Sequence, residues 1–411
     1  MLKIQEFIKE HEDWETLLAQ APYNLKIKRD DNYILFKYDQ VNSDFNEPIV
    51  CEARGLILED KTFNVVRLAF YKFFNQGESH AAEIDWDTSC GSEKIDGSLM
   101  SVWYHGGKWH LSTSGTINAF NAKVNVLDDD GNQLKDIDIS FGEIFEKVMP
   151  LDAFDKYRMP QHLCYTFELV SPQSRVIIKY DEPGLYILSI RDMNTLKEYK
   201  NPETFFCTEM KTEYGLNIPK KYLMHSLEDY QKIVNDMGDD HEGLVVCDDK
   251  FGRIKIKTAE YLVRHYYKCG GINLNRLATV VAQNEDSEFL AYFPEHKEKV
   301  DKLHKYVEKL KEFADTCDGN LAVFDVDLFG ILNNIIDPKE RRKQFASWVM
   351  QHFGNDPYKK GLLFKGYDKK AAETVKGWTQ SKWVDFLKYA VEHPEMYDLS
   401  TEEIINDNRR S

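Results

Sequence analysis

Apolar residues fall mostly in short, alternating runs over the first 260 or so positions, and at helical spacing beyond them. The chain opens on a helical pattern, Leu2, Ile4, Phe7 and Ile8, then Trp14, Leu17 and Leu18. Asn24 to Arg29 and Tyr33 to Tyr38 read as strands. Cys51 to Leu58 reads as a loop entering a strand with Arg54 at its start, and Val65 to Phe70 as a further strand. Leu99 to Tyr104 and Trp109 to Thr113 form a hairpin turned by Gly106-Gly107. Tyr165 to Val170, Val176 to Tyr180 and Leu185 to Ile190 continue the strand pattern, with a turn at Asp181-Glu182-Pro183-Gly184. Glu242 to Val246 and Arg253 to Lys257 make a last hairpin around Asp248 to Gly252. This is an α+β pattern built on antiparallel sheet.

After Lys257 the texture changes. Val300, Leu303, Val307, Leu310 and Phe313 repeat at helical spacing, Asp337-Pro338 starts a helix, and Trp383, Phe386, Leu387 and Val391 suggest another that ends at Pro394. A length of 411 residues exceeds what one core usually serves. Two domains are expected: a sheet-rich one over residues 1–264 and an all-α one over 265–411. The acidic tail with Glu402, Glu403 and Asp407 is expected to fray.

Composition narrows the class. An apolar fraction of 42% suffices for packed cores, and no apolar run is long enough to cross a bilayer. The N-terminus shows no signal-peptide pattern, and the seven cysteines are scattered without Cys-x-x-Cys. A reduced, cytoplasmic setting is expected, with neither a disulfide framework nor a zinc site. The net charge of −16 argues against coating nucleic acid by bulk attraction, but leaves room for a local cationic groove.

The candidate chemistry centres on Lys94-Ile95-Asp96-Gly97-Ser98, just before the first hairpin. It joins a lysine nucleophile to an acidic neighbour and a glycine that lets phosphate approach the backbone. Taken alone, it reads more simply as a surface lysine before a tight turn. Arg253, Lys255 and Lys257 alternate onto one strand face, either to meet anions or to protect a solvated edge. Glu168 in Tyr-Thr-Phe-Glu-Leu-Val and Glu242 before Gly243-Leu-Val-Val could each be a solvent-facing strand residue, as could Arg54 and Lys72 at strand ends. Arg341-Arg342-Lys343, Lys359-Lys360 and Lys369-Lys370 interleave with Trp348, Tyr358, Phe364 and Tyr367. That composition suits either an RNA-contacting surface or a solvated helix face. Gly361 to Gly366 has P-loop spacing, but Tyr367 replaces the required lysine.

The order of these groups is more specific than any one of them. Glu52-Ala-Arg54-Gly-Leu-Ile, Lys72-Phe-Phe-Asn75, Lys94-x-Asp-Gly, Phe167-Glu168-Leu-Val-Ser-Pro-Gln-Ser-Arg175-Val-Ile, Glu242-Gly243 and Lys255-Ile-Lys257-Thr follow one another, each beside a predicted strand. This resembles the covalent nucleotidyltransferase superfamily, and more closely the bacteriophage RNA ligase 1 family of ATP-dependent tRNA-repair RNA ligases. The resemblance covers about residues 30 to 265. It implies a nucleotidyltransferase (adenylation) fold for the sheet-rich domain, with Lys94 as the nucleophile that takes AMP. Arg54 and Lys72 would orient the ATP phosphates, and Lys255 and Lys257 would neutralise the α-phosphate and the leaving pyrophosphate. Glu168 would receive a ribose hydroxyl, Glu242 would help hold Mg²⁺, and Phe74, Gly97 and Gly243 would shape the nucleotide pocket. One position departs from the pattern: Thr113-Ser114-Gly115 stands where the family carries a basic residue before the glycine.

The implied activity joins RNA 5′-phosphate and 3′-hydroxyl ends through lysyl-AMP and adenylylated RNA, in repair of cleaved tRNA anticodon loops. ATP and Mg²⁺ are the implied cofactors. RNA, tRNA above all, is the implied partner, with an end-healing kinase or phosphatase acting upstream, no membrane, and a monomeric chain. The helical domain, with Arg341, Arg342 and Lys343, is expected to carry RNA specificity. A DNA ligase or capping-type enzyme shares the lysine chemistry, and a catalytically silent nucleotide- or RNA-binding module is the rival from another class.

Overall fold

The computed structural model describes residues 1–397 apart from 31, 41, 127–136, 239, 268–273, 284, 287–288, 291–292 and 320–325. The expectation for the acidic tail lies outside the described residues. The chain divides into two units, Met1–Lys268 and Cys269–Ser411.

In the first unit the described residues form three sheets. The first has the order β1 (Lys26–Arg29), β2 (Tyr33–Lys37), β3 (Arg54–Glu59), β4 (Val65–Arg67), all antiparallel. Five further strands, in chain order, are β5 (Phe74–Asn75), β6 (Cys90–Glu93), β7 (Ser98–His105), β8 (Lys108–Thr113) and β9 (Leu163–Val170). The chain then adds β10 (Gly184–Asp192), β11 (Glu198–Tyr199), β12 (Lys221–Tyr222), β13 (Gly243–Cys247) and β14 (Arg253–Lys257). The second sheet runs β11-β10-β9-β7-β8 and the third β12-β6-β13-β14-β5, where only the short β5 joins its neighbour in parallel.

The apolar run of β2 is explained by burial on both faces. Ile34 and Phe36 pack with Ile4, Ile8 and Trp14 of the N-terminal helices. Tyr33 and Leu35 point the other way, onto Trp103 of β7 and Cys164 of β9. The first sheet is thus covered by helices on one side and by the second sheet on the other. The second sheet buries Met100, Tyr165 and Phe167 against Phe145 and Phe154 of the helices Phe141–Val148 and Asp152–Lys156.

Three expectations are corrected. Cys51 and Glu52 end a helix, Pro48–Glu52, rather than a loop. Glu52 is buried there, and its carboxylate accepts the Lys3 and Ile4 N–H groups at 2.9 Å, closing the start of the first helix. The strand expected over Val65 to Phe70 stops at Arg67. That fully buried guanidinium donates to Gly55 O and to Ser101 Oγ, tying β4 to β3 and β7. No strand forms over Val176 to Tyr180, because the Ile177 and Ile178 N–H groups go to the Asp96 carboxylate, at 2.8 and 2.7 Å.

The described residues of the second unit form helices joined by turns, with no strand among them. Its helices include Leu274–Ala282, Lys297–Gly319, Pro338–Phe353, Pro357–Gly366 and Gln380–Glu392. Asp337 caps its helix through Lys339 N–H with Pro338 in the first turn. Trp383, Phe386, Leu387 and Val391 form the buried stripe of the helix before Pro394.

Candidate active site

A cavity of about 780 Å³ in the first unit is walled by the second and third sheets, with Arg54 added from the first. Lys94, Gly97, Glu168, Glu242, Lys255 and Lys257 line it with Arg54. Residues from distant points of the chain therefore meet in one place.

Lys94 sits in the link from β6 to β7, where its N–H donates to Gly243 O at 2.8 Å. Its Nζ lies 2.6 Å from Glu242 Oε2, and Lys257 Nζ lies 3.9 Å from Glu242 Oε1. The Glu242 side chain is only 4% exposed, so two ammonium groups offset one buried carboxylate. Gly243 makes this approach possible. Its φ is +140°, and a Cβ there would meet Ile256 O at 2.1 Å.

Two residues on from the lysine, the Asp96 carboxylate is buried. Besides the Ile177 and Ile178 amides it accepts the Tyr261 hydroxyl at 2.8 Å, so it anchors the Lys94 link rather than facing the cavity. Gly97 lies against β9, where a Cβ would meet Leu169 O at 2.4 Å and Glu168 Cγ at 3.1 Å. This close approach sets β7 beside Glu168, which pairs in register with Leu99.

Burial pushes the Glu168 carboxyl up to about 8; Glu242 and Asp96 push the same way, and Lys94 and Arg54 oppose them. The ordinary carboxylate value is 4.5, so between that and about 8 the folded chain holds a proton that the unfolded chain has lost. The contribution of Glu168 to stability therefore falls as pH rises through this window. Glu168→Gln, which cannot ionise, is expected to flatten that fall. Denaturant midpoints of both proteins at about pH 5 and about pH 8 check it; equal slopes would count against the assignment.

The cations differ in their surroundings. Arg54 stacks its guanidinium over Phe73 at 4.6 Å. Arg253, Lys255 and Lys257 do share one face of β14, opposite the buried Ile254 and Ile256. Arg253 nevertheless pairs with the buried Glu198, which also binds Arg191 at 2.6 Å. Lys72 is not in the cavity wall: its Nζ lies 5.2 Å from the rings of Tyr38, Phe45 and Phe74. Phe74 is buried against Phe45 and His80, also away from that wall. In the second unit, Arg341 donates to Ile335 O at 2.6 Å, which makes it a structural brace. Arg342 lies over Tyr367 with Asp368 at 3.6 Å, and the exposed Lys343 is 3.9 Å from Glu340.

Sequence reasoning did not single out Asp96 as an anchor, nor Glu198. Asp96 carried a signal, its place in Lys-x-Asp-Gly. Glu198 carried none, since a two-residue strand has no periodicity to read.

Among the described residues no three His, Cys, Asp or Glu side chains converge as metal ligands. Glu242, the carboxylate in contact with Lys94, stands among cations. This donor set fits Mg²⁺ better than a protein-caged metal, because Mg²⁺ takes one or two carboxylates and completes its shell with waters and phosphate oxygens.

The sequence pattern of the family described as RNA ligase matches residues 52–262. An RNA ligase of Rhodothermus phage RM378 is 25% identical over 79% of this chain and 83% of its own. A protein of Autographa californica nuclear polyhedrosis virus, named as a bifunctional polynucleotide kinase/RNA ligase, is 28% identical over 74% of this chain. The match spans 44% of that relative's length. An archaeal ATP-dependent RNA ligase structure aligns over 96% of this chain and 91% of its own, with 11% identity and a TM-score of 0.40. Every cavity-lining charge named above, from Arg54 to Lys257, lies inside the matched span, and the chain belongs to the RNA ligase family.

Proposed function

We propose that this member of the RNA ligase family joins RNA 5′-phosphate and 3′-hydroxyl ends at the expense of ATP, with Lys94 as the residue that carries AMP. The observation that carries the reading is the Lys94–Glu242 contact of 2.6 Å inside a cavity that also holds Arg54, Lys255 and Lys257. A lysine amine becomes a nucleophile once it loses a proton to solvent, and the Glu242 carboxylate in contact with it holds the Lys94 Nζ in position. Lys94 Nζ then attacks the α-phosphorus of ATP and pyrophosphate leaves. AMP passes to the RNA 5′-phosphate, and the 3′-hydroxyl displaces it to close the strand. Arg54, Lys255 and Lys257 meet charge on the phosphate oxygens, which is most of what phosphoryl transfer asks of a protein. Glu242 is the residue that would hold Mg²⁺, whose chemistry there is to neutralise phosphate charge. Glu168, on the cavity wall beside Gly97, would meet a ribose hydroxyl. Gly97 and Gly243 keep backbone close to the nucleotide. Lys72 and Phe74 act from behind the wall: Lys72 lies over the Phe74 ring, and Phe74 pairs with Ile254 of β14, the strand that carries Lys255.

The finer reading is repair of cleaved tRNA in a cytoplasm by a monomeric chain, with the helical unit supplying RNA specificity through exposed cations such as Arg342 and Lys343. An end-healing kinase upstream accords with the kinase and ligase named together in the viral relative. The test is incubation with ATP labelled at the α-phosphate, then with RNA bearing 5′-phosphate and 3′-hydroxyl ends. Label is expected on the protein and then in RNA. Sealing of a nicked DNA duplex in preference to RNA would favour the DNA ligase reading, and absence of any label would leave a binding module.

A further inference from the structure

Outside the cavity wall, the first sheet carries lysines on the face that meets the second sheet. Lys26 and Lys37 are paired across β1 and β2, and Lys37 is paired with Arg54 across β2 and β3. Cross-strand partners share a face, so these side chains stand together. They stand where the apolar layer of Leu35, Ile57 and Trp103 ends, at the loop after β8. Lys28 Nζ donates to Gly115 O at 2.7 Å, and a side chain on Gly115 would meet Lys37 Nζ at 3.2 Å. Two ammonium groups from two strands therefore converge on Gly115. Ser114, whose carbonyl and Cα lie against Gly55, adds a hydroxyl and no charge.

The charges are not balanced locally. Lys26 has Asp39 at 2.6 Å. Among the described residues, the Lys37 ammonium makes no hydrogen bond or ion pair, although the side chain is half-buried. Burial first, then Lys28, Lys26, Arg54 and Arg67, hold its ammonium below the usual lysine range. Like charges gathered around an ammonium that has no carboxylate of its own raise the energy of the folded chain, and an arriving anion removes that cost. The chain is strongly acidic overall, at −16, so such a patch is against its average.

We propose that Lys37, with Lys28 and Arg54 around Ser114-Gly115, is a subsite for the terminal 5′-phosphate of the RNA strand. The inference rests on the RNA ligase reading. Arg54 belongs to both places: it lines the Lys94 cavity and is the strand partner of Lys37. The subsite is therefore adjacent to the cavity but not within its wall, which suits a second phosphate beside the one attacked by Lys94.

The test compares binding of two short RNA oligonucleotides, identical except for a 5′-phosphate or a 5′-hydroxyl, by fluorescence anisotropy. The full-length protein is expected to prefer the phosphorylated strand by about tenfold, the size of one charge-assisted contact. Lys37→Met should bring the ratio close to one, and Lys37→Arg should restore most of it. Lys28→Met, at an exposed position, should lower it severalfold, and thermal melts identify any variant that fails to fold. The proposal is overturned if the wild-type protein does not distinguish the strands, or if the Lys37→Met and Lys28→Met proteins keep its ratio. It also fails if Lys37→Met lowers labelling of the protein by ATP but not the preference for the 5′-phosphate, since the anion is then the nucleotide's own. A wild-type protein that takes no label from ATP, yet reads the 5′-phosphate through Lys37, would sink the ligase reading and keep the subsite.

Discussion

Lys94→Arg is expected to abolish the covalent adduct with AMP while leaving the fold in place. Arginine keeps the positive charge beside Glu242, so the buried carboxylate is still compensated. Its guanidinium stays protonated at any pH the protein survives, and so has no lone pair to offer phosphorus. Adduct formation should drop by about three orders of magnitude or more, the scale on which removing a nucleophile usually acts. Intact-mass measurement after incubation with ATP reads this directly, and the melting temperature should stay within about 2 °C of wild type. An AMP adduct mapped by peptide mass spectrometry to any other residue would remove Lys94 from its proposed role.

Asp96→Ala is expected to have the largest effect on stability. The carboxylate receives the Ile177 and Ile178 amides and the Tyr261 hydroxyl, all in buried surroundings. Deleting it strands three donors, and a loss of about 3–5 kcal/mol follows from the usual cost of unsatisfied buried groups. Asp96→Asn keeps a carbonyl for the two amides and should lose roughly half as much. Denaturant unfolding measures the difference, and hydrogen exchange at Ile177 and Ile178 should quicken in the alanine protein first. A midpoint unchanged in Asp96→Ala would mean that the three donors find other partners.

The strands that sequence alone located are those whose burial is regular. Ile254 and Ile256 bury on one side of β14 while Lys255 and Lys257 turn to the cavity, and that alternation is plain in the sequence. Tyr33 to Lys37 is equally plain, as an apolar run covered on both faces. Reading failed where a side chain replaced a neighbouring strand as the partner of the backbone. Val176 to Tyr180 has a strand's composition, yet the Asp96 carboxylate takes two of its amides. β6, β11 and β12 are too short, at four, two and two residues, to show a period. In the site, the charged groups could be named from their order, whereas their division of labour could not. Whether Arg253 faces a ligand or a carboxylate depends on Glu198, which is distant in sequence and carries no motif. Lys37 was equally invisible, because only strand pairing brings it to Arg54 and Gly115.

The Tyr261–Asp96 hydrogen bond bears on where this chain can be divided. All the cavity-lining charges lie at or before Lys257, which invites a cut just after β14. Such a fragment would lack Tyr261, which packs against Ile177 and Ile178 and supplies one of the three donors to Asp96. It would keep every charged group of the site and still lose part of the support under the Lys94 link. A fragment meant to retain the site should therefore run through the helix Ala259–Tyr267, so that its boundary follows the buried hydrogen bond instead of the last charged strand.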